Sequence, residues 1–177
     1  MAKLSRMSRV ALIVVGAGTL ATAPARLPAQ TPAPTGPQEA RVVGVFLDPS
    51  GGRPAVVLEG KRDNRSFAMS IGAAEATGIV FPLENRVPPR PLTHDLFLTL
   101  FGRLKVTVTR VVITDLKDGI YYATLTLDAG GGREIQLDSR PSDAIALAIR
   151  AKAPVLVEDR VFEKSDLLPG AAPAPRI

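Results

Sequence analysis

The sequence predicts an α+β fold in which a mixed, largely antiparallel sheet and about three helices form a single compact domain. Short runs rich in valine, isoleucine and threonine occur in groups separated by turn residues, which is typical of hairpins and meanders. Segments with the apolar spacing of helices lie between these groups and do not alternate strictly with single strands. The composition, with 46% hydrophobic and 22% charged residues, is that of an ordinary globular protein of one domain.

The strand predictions rest on β-branched and aromatic residues bounded by turn residues. The first two strands are expected to form a hairpin across the turn segment 48–54. Three later strands are expected to form an antiparallel meander through Asp118-Gly119 and the glycines at 130–132. The predicted strands are 41–47, 55–59, 67–71, 105–114, 120–128, 133–138 and 155–157.

Two helices are predicted between these strand groups. The first runs from Gly72 to about Glu84, although Gly78 and Pro82 weaken it. The second begins at Thr93, a candidate N-cap, and has Asp95 in its first turn. Its predicted apolar face consists of Leu96, Phe97, Leu100, Phe101 and Leu104.

The third helix, from Pro141 to about Lys152, is predicted to be the central buried element. Proline suits the first turn of a helix, and Pro154 ends this one. Its apolar residues cover nearly the whole circumference, so that a solvent-exposed face is not expected. They are Ala144, Ile145, Leu147, Ala148, Ile149 and Ala151.

The start of the chain has the pattern of a secretory signal peptide, predicted for residues 1–29. Basic residues precede an apolar run at 10–23, and cleavage after Ala25 or Ala29 fits the small residues that follow. The alternative, an uncleaved anchor, needs about 20 apolar residues, whereas this run has roughly 14. We therefore expect a protein exported to the periplasm or the extracellular space, with no stable membrane span after leader removal.

The folded domain is predicted at 41–168, between a Pro-rich linker at 30–40 and a disordered tail at 169–177. Most of the net charge of +5 belongs to the leader, which has four basic residues and no acidic one. Of 22 basic residues, 18 therefore remain against 17 acidic residues. Overall charge is thus a weak indication of nucleic-acid binding. Since the chain has no cysteine, disulfides, thiolate nucleophiles and cysteine zinc sites are excluded.

Common catalytic motifs for nucleotide binding, zinc proteolysis and serine hydrolysis are missing from the sequence. Three segments instead place polar side chains at predicted helix starts, where free N–H groups and a positive dipole end favour anions. The first contains Glu75. The second contains Arg90, His94 and Asp95, and the third contains Asp138, Arg140 and Asp143.

Each of these residues also has a purely structural interpretation. Glu75, Asp95 and Asp143 can cap their own helices, and Arg140 can form an ion pair within the fold. His94 can be a hydrogen-bonded packing residue. Asp138 can belong to the solvated face of its strand, since it alternates with apolar neighbours.

Four segments resemble the bifunctional nuclease family, once described as a domain of unknown function. They are Ile71-Gly-Ala-Ala-Glu-Ala76, Arg90-Pro-Leu-Thr-His-Asp-Leu96, Leu116-Lys-Asp-Gly-Ile-Tyr-Tyr-Ala-Thr-Leu125 and Asp138-Ser-Arg-Pro-Ser-Asp-Ala-Ile-Ala-Leu-Ala148, the last continuing to Ala153-Pro-Val155. The resemblance covers about Arg41 to Asp166 in the family's order and spacing. Matching positions are Glu75, His94, Asp95, Asp138, Arg140, Ser142 and Asp143. Departures are Ser70, where many members have tryptophan, and the export leader, since members are usually cytoplasmic or organellar.

The resemblance implies a homodimer or higher homo-oligomer that cleaves DNA, RNA or both with low sequence preference. We expect His94, Asp95, Glu75 and Asp143 as catalytic residues and Arg90 and Arg140 as phosphate ligands. A divalent cation, magnesium or manganese, is expected on Asp138, Asp143 and Glu75, with no organic cofactor. The alternative function is a non-catalytic binding or assembly module of the cell envelope, in which the same residues stabilise helix starts and a subunit interface.

Removal of the leader is directly testable. We expect the protein recovered from the cell envelope or medium to begin after Ala25 or Ala29, because positive charge, apolar run and small residues occur in the order of a signal peptide. N-terminal sequencing measures this. A cytosolic protein that still begins at Met1 or Ala2 would contradict export.

Overall fold

The computed structural model describes residues 36–48 and 51–168, so the predicted leader and tail and most of the linker lie outside the described residues. Within these residues a seven-stranded sheet and four helices are present, which confirms the α+β prediction. The strands are β1 (Gln38–Leu47), β2 (Pro54–Gly60), β3 (Ser66–Ser70), β4 (Thr107–Lys117), β5 (Ile120–Asp128), β6 (Glu134–Ser139) and β7 (Val155–Val157). The helices are α1 (Ala73–Leu83), α2 (Thr93–Arg103), α3 (Pro141–Ala151) and α4 (Asp159–Lys164).

The strand order is β3-β2-β1-β7-β4-β5-β6. All neighbouring pairs are antiparallel except β4 and β7, which are parallel. The predicted hairpin and meander are both confirmed, and β7 joins them into one sheet. Asp118 and Gly119 have φ angles of 50° and 75°, the positive values that a tight hairpin turn of this kind requires.

The predicted linker ends too late. Strand β1 begins at Gln38, so the last three residues assigned to the linker belong to the sheet. Gln38 pairs with Val157 and Ala40 with Val155, and both are buried. The linker was predicted to extend to residue 40 because the pairing of residues 38–40 with β7 is not visible in the local sequence.

Helix α3 is the buried centre of the helical side, as predicted. Ala144, Ile145 and Ala148 are fully buried, and Ser142 and Leu147 are nearly so. The helix packs on strands β4 and β5 and on helices α1 and α2. Lys152 caps it in the left-handed conformation, with φ at 55°. The start of α3 follows directly on β6, which is the last strand at one edge of the sheet.

Helix α2 differs from its prediction in two respects. Its N-cap is Leu92 and not Thr93, and the Asp95 carboxylate accepts a hydrogen bond from the Leu92 N–H at 2.8 Å. Leu98 and Phe101 pack against the core. Most of the predicted apolar face is instead exposed, because α2 lies at the margin of the helical layer: Leu96 65%, Phe97 45%, Leu100 48% and Leu104 62%.

Helix α4 was not predicted. It has six residues, too few to show a helical period clearly in the sequence. Its Val161 and Phe162 are nevertheless fully buried, and Phe162 packs edge-on against Phe67 at 5.2 Å between ring centroids. Across residues 36–48 and 51–168, no helix combines the length and apolar character that a membrane crossing needs.

Truncation of α3 tests its central position. Replacing Ile145, whose side chain is 0% exposed, with alanine is expected to lower the free energy of unfolding by about 2–5 kcal/mol through lost burial and a cavity. Replacing Val87, which is 91% exposed, with alanine is the control and should change it by less than about 0.5 kcal/mol. Chemical denaturation measures both. Equal, small effects would place α3 at the periphery.

Candidate active site

The junction between β6 and α3 positions the most prominent polar group. Arg140 is the N-cap residue of α3, in an extended conformation, and Pro141 occupies the first turn. Proline fits there because the first N–H groups of a helix have no partner within it. Asp143 follows in the same turn, so a guanidinium and a carboxylate are held next to each other by the backbone.

The Arg140 guanidinium joins two of the predicted polar clusters. Its Nε and Nη2 donate to the two carboxylate oxygens of Asp143, at 2.6 Å and 3.1 Å. Its Nη1 donates to Oε1 of Glu75 at 2.8 Å, which links α3 to the start of α1. Two of the three predicted clusters thus meet at Arg140, although Glu75 is 65 positions away in the sequence.

His94 brings the third cluster to the same place. Its Nε2 donates to Oδ1 of Asp143 at 3.2 Å, and its side chain is 12% exposed. The opposite edge of the ring lies against α1 at Gly78, where an added Cβ would be 2.7 Å from Cε1 and 3.0 Å from Nδ1. The glycine that was expected to weaken the helix therefore makes room for the imidazole.

Ion pairing shifts the pKa values of Asp143 and Arg140. Partial burial acts to raise the pKa of the Asp143 carboxyl, but hydrogen bonds from Arg140 and His94 outweigh it and the pKa lies below its usual value. Asp143 and Glu75 in turn raise the pKa of Arg140. A guanidinium has five N–H donors, of which three are used here. The other two remain on a side chain that is 66% exposed.

A cavity of about 480 Å³ opens beside this cluster. One end is polar and contains His94, Asp138, Arg140 and Asp143, together with the hydroxyl groups of Thr93 and Ser139. The other end is formed by apolar side chains of α2, the sheet and α3, namely Phe97, Phe101, Leu125, Leu137 and Leu147. Asp138 thus lies on the same cavity as the cluster.

A second cavity, of about 310 Å³, lies on the other side of Arg140. It is lined by residues at the end of β3, the start of α1 and the β4–β5 turn, among them Ser70, Glu75 and Gly119. Arg140 lines both cavities. The guanidinium therefore stands where two concave surfaces meet.

Asp95 belongs to a different network. Its Oδ1 accepts from Nε of Arg150 at 2.7 Å, and Arg150 Nη1 donates to the carbonyl oxygens of Gly78 and Ala146 at 2.6 Å and 2.9 Å. Partial burial acts to raise the pKa of Asp95, but the bonds from Arg150 and the Leu92 N–H lower it overall. Asp95 thus holds α2 to α3, and its hydrogen bonds go to Arg150 and Leu92 and not to the residues paired with Arg140.

Arg150 was missed at the level of sequence. Its side chain is 9% exposed, and its contacts tie α1, α2 and α3 together. The feature of the sequence that could have indicated its role is that it is the one charged residue in the apolar run 144–151. Arg90, which was predicted to bind phosphate, is exposed and lies outside the cavity that His94 and Arg140 line.

Comparison with known proteins identifies the family of this chain. Residues 56–169, well over half of the 177-residue chain, match the family model described as the bifunctional nuclease domain. The chain belongs to the bifunctional nuclease family.

Its relatives include uncharacterized proteins of Mycobacterium tuberculosis strains H37Rv and CDC 1551, each 37% identical over 130 residues, which are 73% of this chain and 77% of the relative. A protein named bifunctional nuclease 1 from Oryza sativa subsp. indica is 33% identical over 117 residues, 64% of this chain. The aligned region is 35% of the rice protein's length.

The predicted cation ligands of this bifunctional nuclease domain do not form one cluster. Among the described residues, no three histidine, aspartate or glutamate side chains converge as a metal site. Glu75 and Asp143 are both paired with Arg140. Magnesium, however, is commonly bound by one or two carboxylates together with water and substrate phosphate. Asp138 and Asp143, which line one cavity, fit that smaller donor set, and the cation stays a prediction.

The packing of His94 on Gly78 can be tested by NMR. In Gly78→Ala the new Cβ is expected to displace the imidazole and shift its ¹H–¹⁵N signals, which are unambiguous because the chain has one histidine. Gly102→Ala is the matched control, since a Cβ at this position of α2 meets no atom within 4 Å. It should leave the imidazole signals unchanged. Unshifted signals in Gly78→Ala would contradict the close packing.

Proposed function

We propose that this domain hydrolyses phosphodiester bonds in DNA, RNA or both, with low sequence preference. The observation that carries the proposal is the Arg140 cluster, in which a largely exposed guanidinium is bonded to two carboxylates and has two N–H donors that these bonds do not use. A guanidinium that is already held in position can donate two hydrogen bonds to a phosphate without the entropy cost of ordering its side chain. Membership of the bifunctional nuclease family and the named rice relative support the same chemistry.

Roles for the individual residues follow from their positions. Arg140 binds the phosphate and neutralises charge that develops on it. His94 is the proton-transfer group, because it lines the cavity next to Asp143 and Arg140 and histidine is the side chain most often used for this purpose. Asp143 orients both residues through its hydrogen bonds to them. Glu75 is a positioning residue for Arg140.

A requirement for a divalent cation is part of the proposal. The site contains three carboxylates and one guanidinium, so that its acidic groups outnumber its permanently charged basic group. The carboxylates are those of Asp138, Asp143 and Glu75, and the guanidinium is that of Arg140. An anionic substrate is repelled by this excess unless a cation neutralises it. Asp138 and Asp143 would hold magnesium or manganese, which would supply electrostatic stabilisation of the phosphoryl group.

Self-association and export are proposed on other grounds. We expect a homodimer or higher homo-oligomer from the resemblance, and the exposed leucines of α2 are compatible with a subunit contact. Export to the periplasm or extracellular space rests on the leader sequence alone.

The alternative is a non-catalytic binding or assembly module of the cell envelope. One observation favours it: Glu75 and Asp143 are both already paired with Arg140, as in an ion-pair network that serves only to join α1 to α3. The two functions differ in what removal of the Asp143 charge does.

Asp143→Asn separates them. It keeps the side chain's size, and because the pair with Arg140 is partly exposed it should change the free energy of unfolding by less than about 1 kcal/mol. Cleavage of single-stranded and duplex oligonucleotides should fall by at least about 100-fold, since Arg140 and His94 both lose the group that orients them. Initial rates and thermal melts measure the two effects.

Glu134→Gln is the matched control. Glu134 forms a bidentate ion pair with Arg110, and neither residue lines the cavity. The substitution disrupts this pair. This variant should cleave at the wild-type rate. A chelator should abolish wild-type cleavage. If the wild-type protein with magnesium or manganese cleaves no better than a protein-free blank, the nuclease proposal is wrong and the assembly module remains.

A further inference from the structure

The apolar end of the larger cavity has no role in the chemistry assigned so far. It adjoins the polar end that contains His94, Arg140 and Asp143. The total volume of about 480 Å³ lies within the range of about 300–1,000 Å³ that is usual for sites of small organic ligands. A phosphate occupies a small part of this space, so a phosphodiester bound at Arg140 would leave the apolar end for another part of the same substrate.

Aromatic and aliphatic side chains from four elements line this end. Phe97 and Phe101, one turn apart on α2, have ring centroids 6.0 Å apart and planes tilted by 54°. Phe97 is 45% exposed, and Leu137 of β6 is 40% exposed. The other two side chains, Leu125 and Leu147, are buried. An exposed phenylalanine in a concave wall is a surface on which a flat ring can stack.

The chemistry of this lining indicates what kind of ring binds. None of the five apolar side chains carries a hydrogen-bonding group. These side chains can contact the face of a ligand ring but cannot form hydrogen bonds with its edge. Such a surface does not distinguish one nucleobase from another. The neighbouring guanidinium supplies the donors for the phosphate to which such a base is connected.

We propose that the apolar end of this cavity, bounded by Phe97 and Leu137, binds one unpaired nucleobase of the substrate. The inference rests on the proposed nuclease function and specifies its substrate: single-stranded nucleic acid. A base within a duplex is stacked and paired on its edges, and it must be extruded before it can enter a cavity of this shape. Arg140 also lines the second cavity, so a strand whose phosphate lies on it has a concave surface on both sides.

The binding test uses two chains of five nucleotides that differ in one respect. One carries bases, and the other is abasic at every position, so that its phosphates alone are available. Phe97→Ala is expected to raise the Kd of the base-containing chain by about 5- to 100-fold, the usual effect of removing a stacking aromatic ring. The Kd of the abasic chain should not change. Phe97→Tyr should restore wild-type binding.

Tyr122→Ala is the matched control. Tyr122 is an aromatic residue of similar exposure, 39%, on the sheet, and it does not line the cavity. Its truncation should leave both Kd values unchanged. In the accompanying cleavage assay, the wild-type kcat/KM should be about 10- to 100-fold higher for a single strand than for the same strand in a duplex.

The outcomes distinguish the inference from the function on which it rests. Cleavage by the wild-type protein together with unchanged Kd values in Phe97→Ala overturns the base subsite and leaves the nuclease proposal standing. Equal losses for the base-containing and abasic chains also overturn it. If light scattering shows that those losses accompany a change of oligomeric state, this face of α2 is a subunit contact. A wild-type protein that binds neither chain overturns both proposals.

Discussion

Burial of helix α3 is the constraint on which the rest of the structure depends. Its residues from Ala144 to Ala148 are all nearly inaccessible to solvent, so the helix must be covered on almost every side. The sheet covers it through β4 and β5, and α1 and α2 cover much of the remainder. Because the helix cannot rotate or slide in this environment, its first turn is held firmly at the end of β6. The polar groups of that turn are therefore positioned by the packed core, as a preorganised site requires.

The two arginines at opposite ends of α3 differ in exposure and therefore in the role that each can have. Arg150, near the end of α3, is almost fully buried and uses its donors on Asp95 and two carbonyl groups. A buried guanidinium with such partners is held for packing, and removing one partner would be costly. Arg140, at the start of the same helix, is two-thirds exposed and retains donors that are not used. It is therefore suited to a ligand.

The candidate site combines groups of opposing electrostatic preference. The guanidinium attracts an anion, whereas the carboxylates of Asp143 and Glu75 beside it, and that of Asp138 on one of its cavities, attract a cation. A phosphodiester together with a divalent ion satisfies both, which neither does alone. In the function proposed above, the adjoining apolar side chains add a third preference, for the face of a flat ring. A substrate that contains phosphate and base on one flexible strand would meet all of these conditions.

Local sequence determined most of the secondary structure of this protein, with α4 as the exception, together with the buried nature of α3 and the family to which it belongs. Periodicity, turn residues and prolines act over a few positions, so these features were predictable from neighbouring residues. The tertiary structure alone decided that Glu75 and His94 meet at the Arg140–Asp143 pair, and that Asp95 is directed to Arg150 instead. It also decided that the apolar face predicted for α2 lies mostly open, beside a cavity. These outcomes depend on which elements pack together, and packing joins residues 49 to 65 positions apart whose separation leaves no trace in the local pattern.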